Sequence, residues 1–142
     1  MQVSAWMTPN PVAVRALSTV REARRLLGYH RVRALPVVDG GRVVGMLTDA
    51  DVRIDDAPLT GAAGTMPSRV NGLLGSGQTV ASVLTGPAVT VRTDDDVAVA
   101  AELLLVHRVG TLAVVDRARH LVGVITVGDC LRALLTRTTV PA

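Results

Sequence analysis

The stretch Gly45-Met46-Leu47-Thr48-Asp49-Ala50-Asp51 returns as Gly123-Val124-Ile125-Thr126-Val127-Gly128-Asp129, and this duplication restricts the fold more than any other feature. The match extends in both directions. Thr8 falls on Thr85 at an offset of 77 residues, Val12-Ala13-Val14-Arg15 on Val89-Thr90-Val91-Arg92, and His30-Arg31-Val32 on His107-Arg108-Val109. Leu35 and Val37-Val38-Asp39 match Leu112 and Val114-Val115-Asp116; beyond one extra residue in a turn the offset is 78, and Val44-Gly45 falls on Val122-Gly123. A collinear series of this kind means that one supersecondary unit is built twice.

Each copy reads β-α-β-β-α, which makes the chain α+β. In the first, Pro11 opens a strand over 12–15. Ser18 or Thr19 is then placed to cap a helix, with Glu22 positioned to complete a capping box. Val20, Ala23, Leu26 and Leu27 share one face of that helix. In the second copy Asp94, Asp95 and Asp96 open the helix at its positive end, and Val97, Ala100, Ala101, Leu104 and Leu105 repeat the stripe. Two apolar strands follow, 34–39 and 43–48, joined at Asp39-Gly40-Gly41, a hairpin signal. The second hairpin has a longer turn, 117–120, where an inserted residue is tolerated. The closing helices are expected over 50 to about 55 and 127 to about 135, and short helical turns over 4–7 and 79–84 precede the two copies. The expected organisation is repeat 1 over 1–56, a Gly-, Pro- and Ser-rich linker over 57–78, repeat 2 over 79–136 and a loose tail over 137–142. Each half-unit leaves apolar sheet uncovered, so the copies are expected to pack about a pseudo-twofold axis with two clefts.

Composition narrows the function classes. Nearly half the residues are apolar, yet Phe is absent and Trp6 and Tyr29 are the only aromatics, so Val, Leu, Ile and Ala must build the core. The net charge is +3 and every basic residue is Arg, scattered along the chain. Without aromatic stacking platforms, nucleic acid is not an expected partner. Cys130 is the only cysteine, which rules out an intrachain disulfide. It reads as a small buried hydrophobe and fits a reducing cytoplasm. No secretory signal and no apolar run of ~18 residues is present, so a soluble, cytoplasmic protein is expected, with no membrane partner. The repeat sets up no Ser/His/Asp, Cys/His or metal-ligand constellation. No catalytic or metal residue is therefore assigned, no cofactor is required, and an enzyme is not expected. His30 and His107 fall at helix ends, where imidazole suits the negative pole better than a metal role.

Met7-Thr8-x-x-Pro11-Val12, His30-x-Val32-x-Ala34-Leu35-Pro36-Val37-Val38-Asp39 and Gly45-x-Leu47-Thr48-x-x-Asp51, each with a counterpart in the second copy, resemble a CBS (cystathionine β-synthase) domain. The chain resembles a tandem CBS pair, or Bateman module, with no catalytic domain attached. The resemblance implies an adenosine-containing ligand, AMP, ADP, ATP or S-adenosylmethionine, in sites of crossed composition. One would use Thr8, Ala13, Val32, Arg33 and Ala34 with Thr126 and Asp129. The other would use Thr85, Thr90, Val109, Gly110 and Thr111 with Thr48 and Asp51, and Arg53 adds charge there. In such sites the Asp accepts ribose hydroxyls, while the Thr hydroxyl and the helix N-terminal amides face phosphate. By spacing alone, Thr-x-x-Asp equally fits a capping box. Arg33 stands where the family often places a phosphate-facing base and Gly110 replaces it in the second copy, so the Arg33/Asp129 site is expected to hold phosphate better. The implied function is a regulatory module that passes a conformational signal to a regulated protein. A homodimer through Leu103, Val106, Leu131, Leu134 and Leu135 is expected; the alternative is a ligand-free structural or dimerisation module.

Overall fold

A computed structural model describes residues 1–52, 78–84 and 88–138. The linker over 57–77, residues 53–55 of the expected first closing helix and residues 139–142 of the tail lie outside the described residues. The elements are β1 (Thr8–Pro9), β2 (Val14–Arg15), α1 (Val20–His30), β3 (Ala34–Asp39), β4 (Arg42–Thr48), α2 (Val80–Val83), β5 (Thr90–Arg92), α3 (Val97–His107), β6 (Thr111–Val115), β7 (Leu121–Thr126) and α4 (Val127–Thr138). A 3-10 turn over Val3–Ala5 precedes β1, and helical residues 49–52 follow β4.

The chain forms two compact units, and they do not follow the sequence repeats. Unit 1 takes residues 1–12, the hairpin tip 40–43 and 88–138; unit 2 takes 13–39, 44–52 and 78–84. Each repeat is thus completed by the lead-in segment of the other. The docking bonds are the same in both units. In unit 1 the Val3 N–H donates to the Asp95 carbonyl at 2.8 Å and the Val97 N–H to the Met1 carbonyl at 2.8 Å. In unit 2 the Val80 N–H donates to the Ser18 carbonyl at 2.8 Å and the Val20 N–H to the Gln78 carbonyl at 2.9 Å. These bonds satisfy helix-start donors that have no partner within their own helix. Val3 and Val80 are fully buried, each contributing roughly 1.5–3 kcal/mol of apolar burial.

Unit 1 carries the sheet order β1-β7-β6-β5 and unit 2 the order β2-β3-β4. β1 and β6 run antiparallel to β7, and β5 runs parallel to β6. β2 runs parallel to β3. The first strand is shorter than expected, 14–15 rather than 12–15, because only Val14 and Arg15 find partners on β3, at Val37 and Val38. The core of unit 1 joins Val91, Val97, Ala100, Leu104, Leu112, Val114, Ile125, Cys130 and Ala133 with Val3. Burial is the largest cause pushing the Cys130 thiol up, and the neighbouring Asp129 adds to it.

Two positions depart from the helical stripes expected of the sequence. Leu105 is exposed rather than buried, because it lies ~100° round the helix from Leu104, beyond the face that meets the core. Leu103, expected on the outer stripe, packs against the core and is half-buried. α4 continues to Thr138, two residues into the segment expected as tail. Both eleven-residue helices end on an arginine in the left-handed region, Arg31 and Arg108, each at φ 54°. No helix among the described residues is long and apolar enough to cross a membrane.

Candidate functional site

The two Thr-x-x-Asp starts form from the same local chemistry. A strand ends on Thr and a helix begins at once, leaving backbone donors to be satisfied. In unit 2 the Asp51 Oδ2 accepts the Thr48 N–H at 2.8 Å and the Thr48 hydroxyl at 3.1 Å, and the Asp51 N–H donates to Thr48 Oγ1 at 3.3 Å. In unit 1 the Asp129 Oδ2 accepts the Thr126 N–H at 2.9 Å and the Asp129 N–H donates to Thr126 Oγ1 at 3.1 Å. Both are reciprocated capping boxes. A box uses one carboxylate oxygen and leaves the other for a second role, so capping and ligand binding are compatible.

That second oxygen separates the copies. Among the described residues Asp51 Oδ1 accepts no hydrogen bond, and the residue is half-buried. Asp129 Oδ1 accepts from Arg132 Nη2, one helical turn on. The Arg132 side chain is 65% exposed while that of Asp129 is 4% exposed, so the guanidinium covers the carboxylate on its solvent side. Arg132 also lies along Gly128, where an added Cβ would sit 3.6 Å from Arg132 Nη1 and 3.6 Å from Thr126 Oγ1. At the position matching Arg132 the first repeat has Ile54. Sequence reasoning missed Arg132, although the Asp-x-x-Arg spacing that makes it a neighbour on a helix was legible.

The remaining expected site residues fall beside these starts. In unit 2 the Arg33 carbonyl accepts the Asp49 N–H at 2.9 Å, so the turn before β3 is tied to the Thr48/Asp51 helix start. Val32 and Arg33 are exposed; Ala13 and Ala34 are half-buried. In unit 1 the Gly110 carbonyl accepts the Val127 N–H at 3.1 Å, and Thr111 is the register partner of Thr126. Val109 is half-buried, Thr90 pairs with Ala113, and Thr8 is an exposed residue of β1 opposite Val124. Within a unit the structure therefore ties the Arg33 backbone to the Thr48/Asp51 helix start, and Gly110 and Thr111 to Thr126 and the start of α4. Each crossed set implied by the resemblance draws on both units. Thr85 and Arg53 lie outside the described residues.

The motif glycines have a packing role that the sequence did not reveal. A Cβ on Gly123 would lie 2.5 Å from Met7 Sδ and 2.8 Å from the Thr8 carbonyl oxygen. One on Gly45 would lie 2.7 Å from Leu84 Cδ1. Both glycines admit the exchanged lead-in against the strand that runs into the candidate site.

Comparison with known proteins gives one consistent result. The profile of the CBS domain matches residues 3–54 and 80–136. The chain is 32% identical over 128 residues to the CBS domain-containing protein YhcV of Bacillus subtilis, covering 89% of this chain and 81% of that protein. It is 30% identical over 127 residues to a homoserine O-acetyltransferase of Methanocorpusculum labreanum, covering 89% of this chain but only 23% of that enzyme. Among solved structures it resembles CBSX2 of Arabidopsis thaliana in complex with AMP, at 29% identity and a TM-score of 0.78, covering 96% of this chain and 98% of that one.

Proposed function

The chain belongs to the CBS domain family, and on that premise we propose that it is a non-catalytic regulatory module binding an adenosine-containing ligand. The observation that carries this reading is the duplicated helix start whose aspartate keeps one oxygen beyond the needs of the cap, an oxygen that at Asp51 accepts nothing among the described residues. A carboxylate oxygen so placed accepts hydroxyls of a ribose, and a helix N-terminus favours a phosphate. A relative sharing 29% identity, CBSX2, is found in complex with AMP. The ligand contacts proposed are the two crossed sets, with Arg33 as the phosphate contact of the set containing Asp129. The acetyltransferase activity of a relative of which this chain spans 23% is not part of the proposal.

Two copies pair, in this reading, through the outer faces of α3 and α4, where Val106, Leu131, Leu134 and Leu135 are exposed. Ligand occupancy then alters how a regulated protein meets the module. The test is a thermal-shift series with AMP, ADP, ATP and S-adenosylmethionine. A ligand that binds only the folded state raises Tm by several degrees at saturation for a chain of this size. No shift with any of the four would leave the capping boxes as structural devices and the chain as a ligand-free dimerisation module.

A further inference from the structure

From the unequal surroundings of the two aspartates we infer that Arg132 is a latch on Asp129, making that set the conditional one and leaving the Asp51 set to take ligand first. The inference rests on the adenosine-ligand reading and adds to it a positioning residue and an order of occupancy. A sugar diol needs an accessible carboxylate oxygen. At Asp129, Oδ2 is committed to the Thr126 N–H and Oδ1 to Arg132, and the side chain is all but shielded from solvent. At Asp51, among the described residues, only Oδ2 is committed, and the sequence has Ile54, not arginine, at the position matching Arg132.

The position of Arg132 has no other evident support. Arg132 lies in the second turn of α4, near mid-helix, where the macrodipole offers a cation no stabilisation, so its guanidinium is held there by the carboxylate. Gly128 contributes by leaving the side of the turn open, with only ordinary contact distance to spare for a Cβ. A ligand engaging Asp129 must first displace the guanidinium from a charge-assisted bond. Because the Arg132 side chain is largely in water, that displacement costs little enough to be reversible. The latch therefore lowers affinity at one set without abolishing it. The ranking expected from Arg33 alone, with the Asp129 set the better, is thereby reversed.

Calorimetric titration with AMP tests this. The wild type is expected to bind in a tighter and a weaker phase. Arg132→Ala should tighten the weaker phase about fivefold to tenfold, the order of one charge-assisted hydrogen bond to an exposed partner, and leave the tighter phase unchanged. Arg132→Lys should retain part of the latch. Asp51→Asn, which keeps an amide oxygen for the cap, should remove the tighter phase, and Asp129→Asn the weaker. A gain in affinity is a result that mere loss of structure cannot produce. If AMP binds but Arg132→Ala leaves both phases unchanged or weakens them, or if Asp129→Asn removes the tighter phase, the latch is wrong and the ligand reading stands. If the wild type binds none of AMP, ATP or S-adenosylmethionine, both fall together.

Discussion

The two units are built from one pattern, and they agree and differ in separate places. They agree wherever a lead-in segment docks. Val3 and Val80 are equally buried and make matching bonds to the opposite repeat, and Met7 and Leu84 lie over matching glycines. They differ in what each helix presents at its start and on its outer face. Asp129 is covered by Arg132, and the sequence position that matches Arg132 in the first repeat holds Ile54, which can form no such ion pair. Val99 and Val106 of α3 fall on Glu22 and Tyr29 of α1, and Leu131 of α4 falls on Arg53. Asp96 caps α3 where Thr19 caps α1. Exchange of lead-ins requires the same docking bonds twice, which holds those positions alike. Binding and pairing do not require two equal surfaces, so those positions are free to specialise.

The largest effect is expected at the two glycines beneath the lead-ins, where one detail of an otherwise shared docking differs. A methyl group at residue 123 would meet the Thr8 carbonyl oxygen at 2.8 Å, and that backbone moves only if β1 leaves β7. Gly123→Ala should therefore cost about 2–3 kcal/mol, in the range of overpacked sites. At Gly45 the clash is with Leu84 Cδ1, the end of a flexible side chain, and Gly45→Ala should cost less than about 1 kcal/mol. Urea denaturation midpoints measure both. Equal losses would show that backbone approach is not what separates the two sites.

Next comes the outer face. Leu131, Leu134 and Leu135 are each more than half exposed, and α4 packs on α3, where Val106 is also exposed. Contiguous exposed apolar patches larger than a few hundred Å² mark interaction sites, and these side chains form the face proposed above for pairing. The matching face of α1 carries Glu22, Arg25 and an exposed Tyr29. For the dimer proposed above, the double change Leu131→Glu, Leu135→Glu should raise the dissociation constant at least ~100-fold, ~2.7 kcal/mol, and Tyr29→Glu should leave it unaltered. Sedimentation equilibrium distinguishes them. A wild type that stays monomeric throughout, or a Tyr29→Glu variant equally impaired, would remove unit 1 from its special place.

Much of this was legible from residues. Thr19 accepts the Glu22 N–H as its spacing implied, at 3.1 Å, and Gly40 and Gly41 take the positive φ angles that the hairpin signal called for. Those features are local, so a few neighbouring residues determine them. The exchange of lead-ins was not legible, because the two helix starts are near copies: a buried Val at position 3 suits either one, and only the path of the whole chain decides. The pairing of β1 with β7 spans over a hundred residues of sequence and leaves no periodic trace in a two-residue strand. Arg132 was hidden differently. Its partner spacing was visible, but on a helix surface such pairs are common and mostly inconsequential, and it gains meaning only because Asp129 is buried beneath it.

The smallest expected effect turns on the two caps. Thr19 is neutral at all working pH values, and Thr19→Ala should cost about 1 kcal/mol, as for other hydroxyl caps. Asp96 is an ionised cap: the Ala98 N–H, donating at 2.8 Å, is the largest cause holding its carboxyl below the usual carboxylate range. A folded-state pKa depressed in this way contributes stability above the unfolded value, and the contribution is lost as pH falls through the folded one. Acidification below about pH 4 should therefore loosen the start of α3 before that of α1. Amide exchange followed by NMR reads the difference. The Ala98 amide should lose protection as the Asp96 carboxylate takes up its proton, while the Glu22 amide, bonded to the Thr19 hydroxyl, keeps its own over the same interval. If both amides open together, the two helix starts respond to acid as one, and the difference in cap chemistry has no energetic consequence.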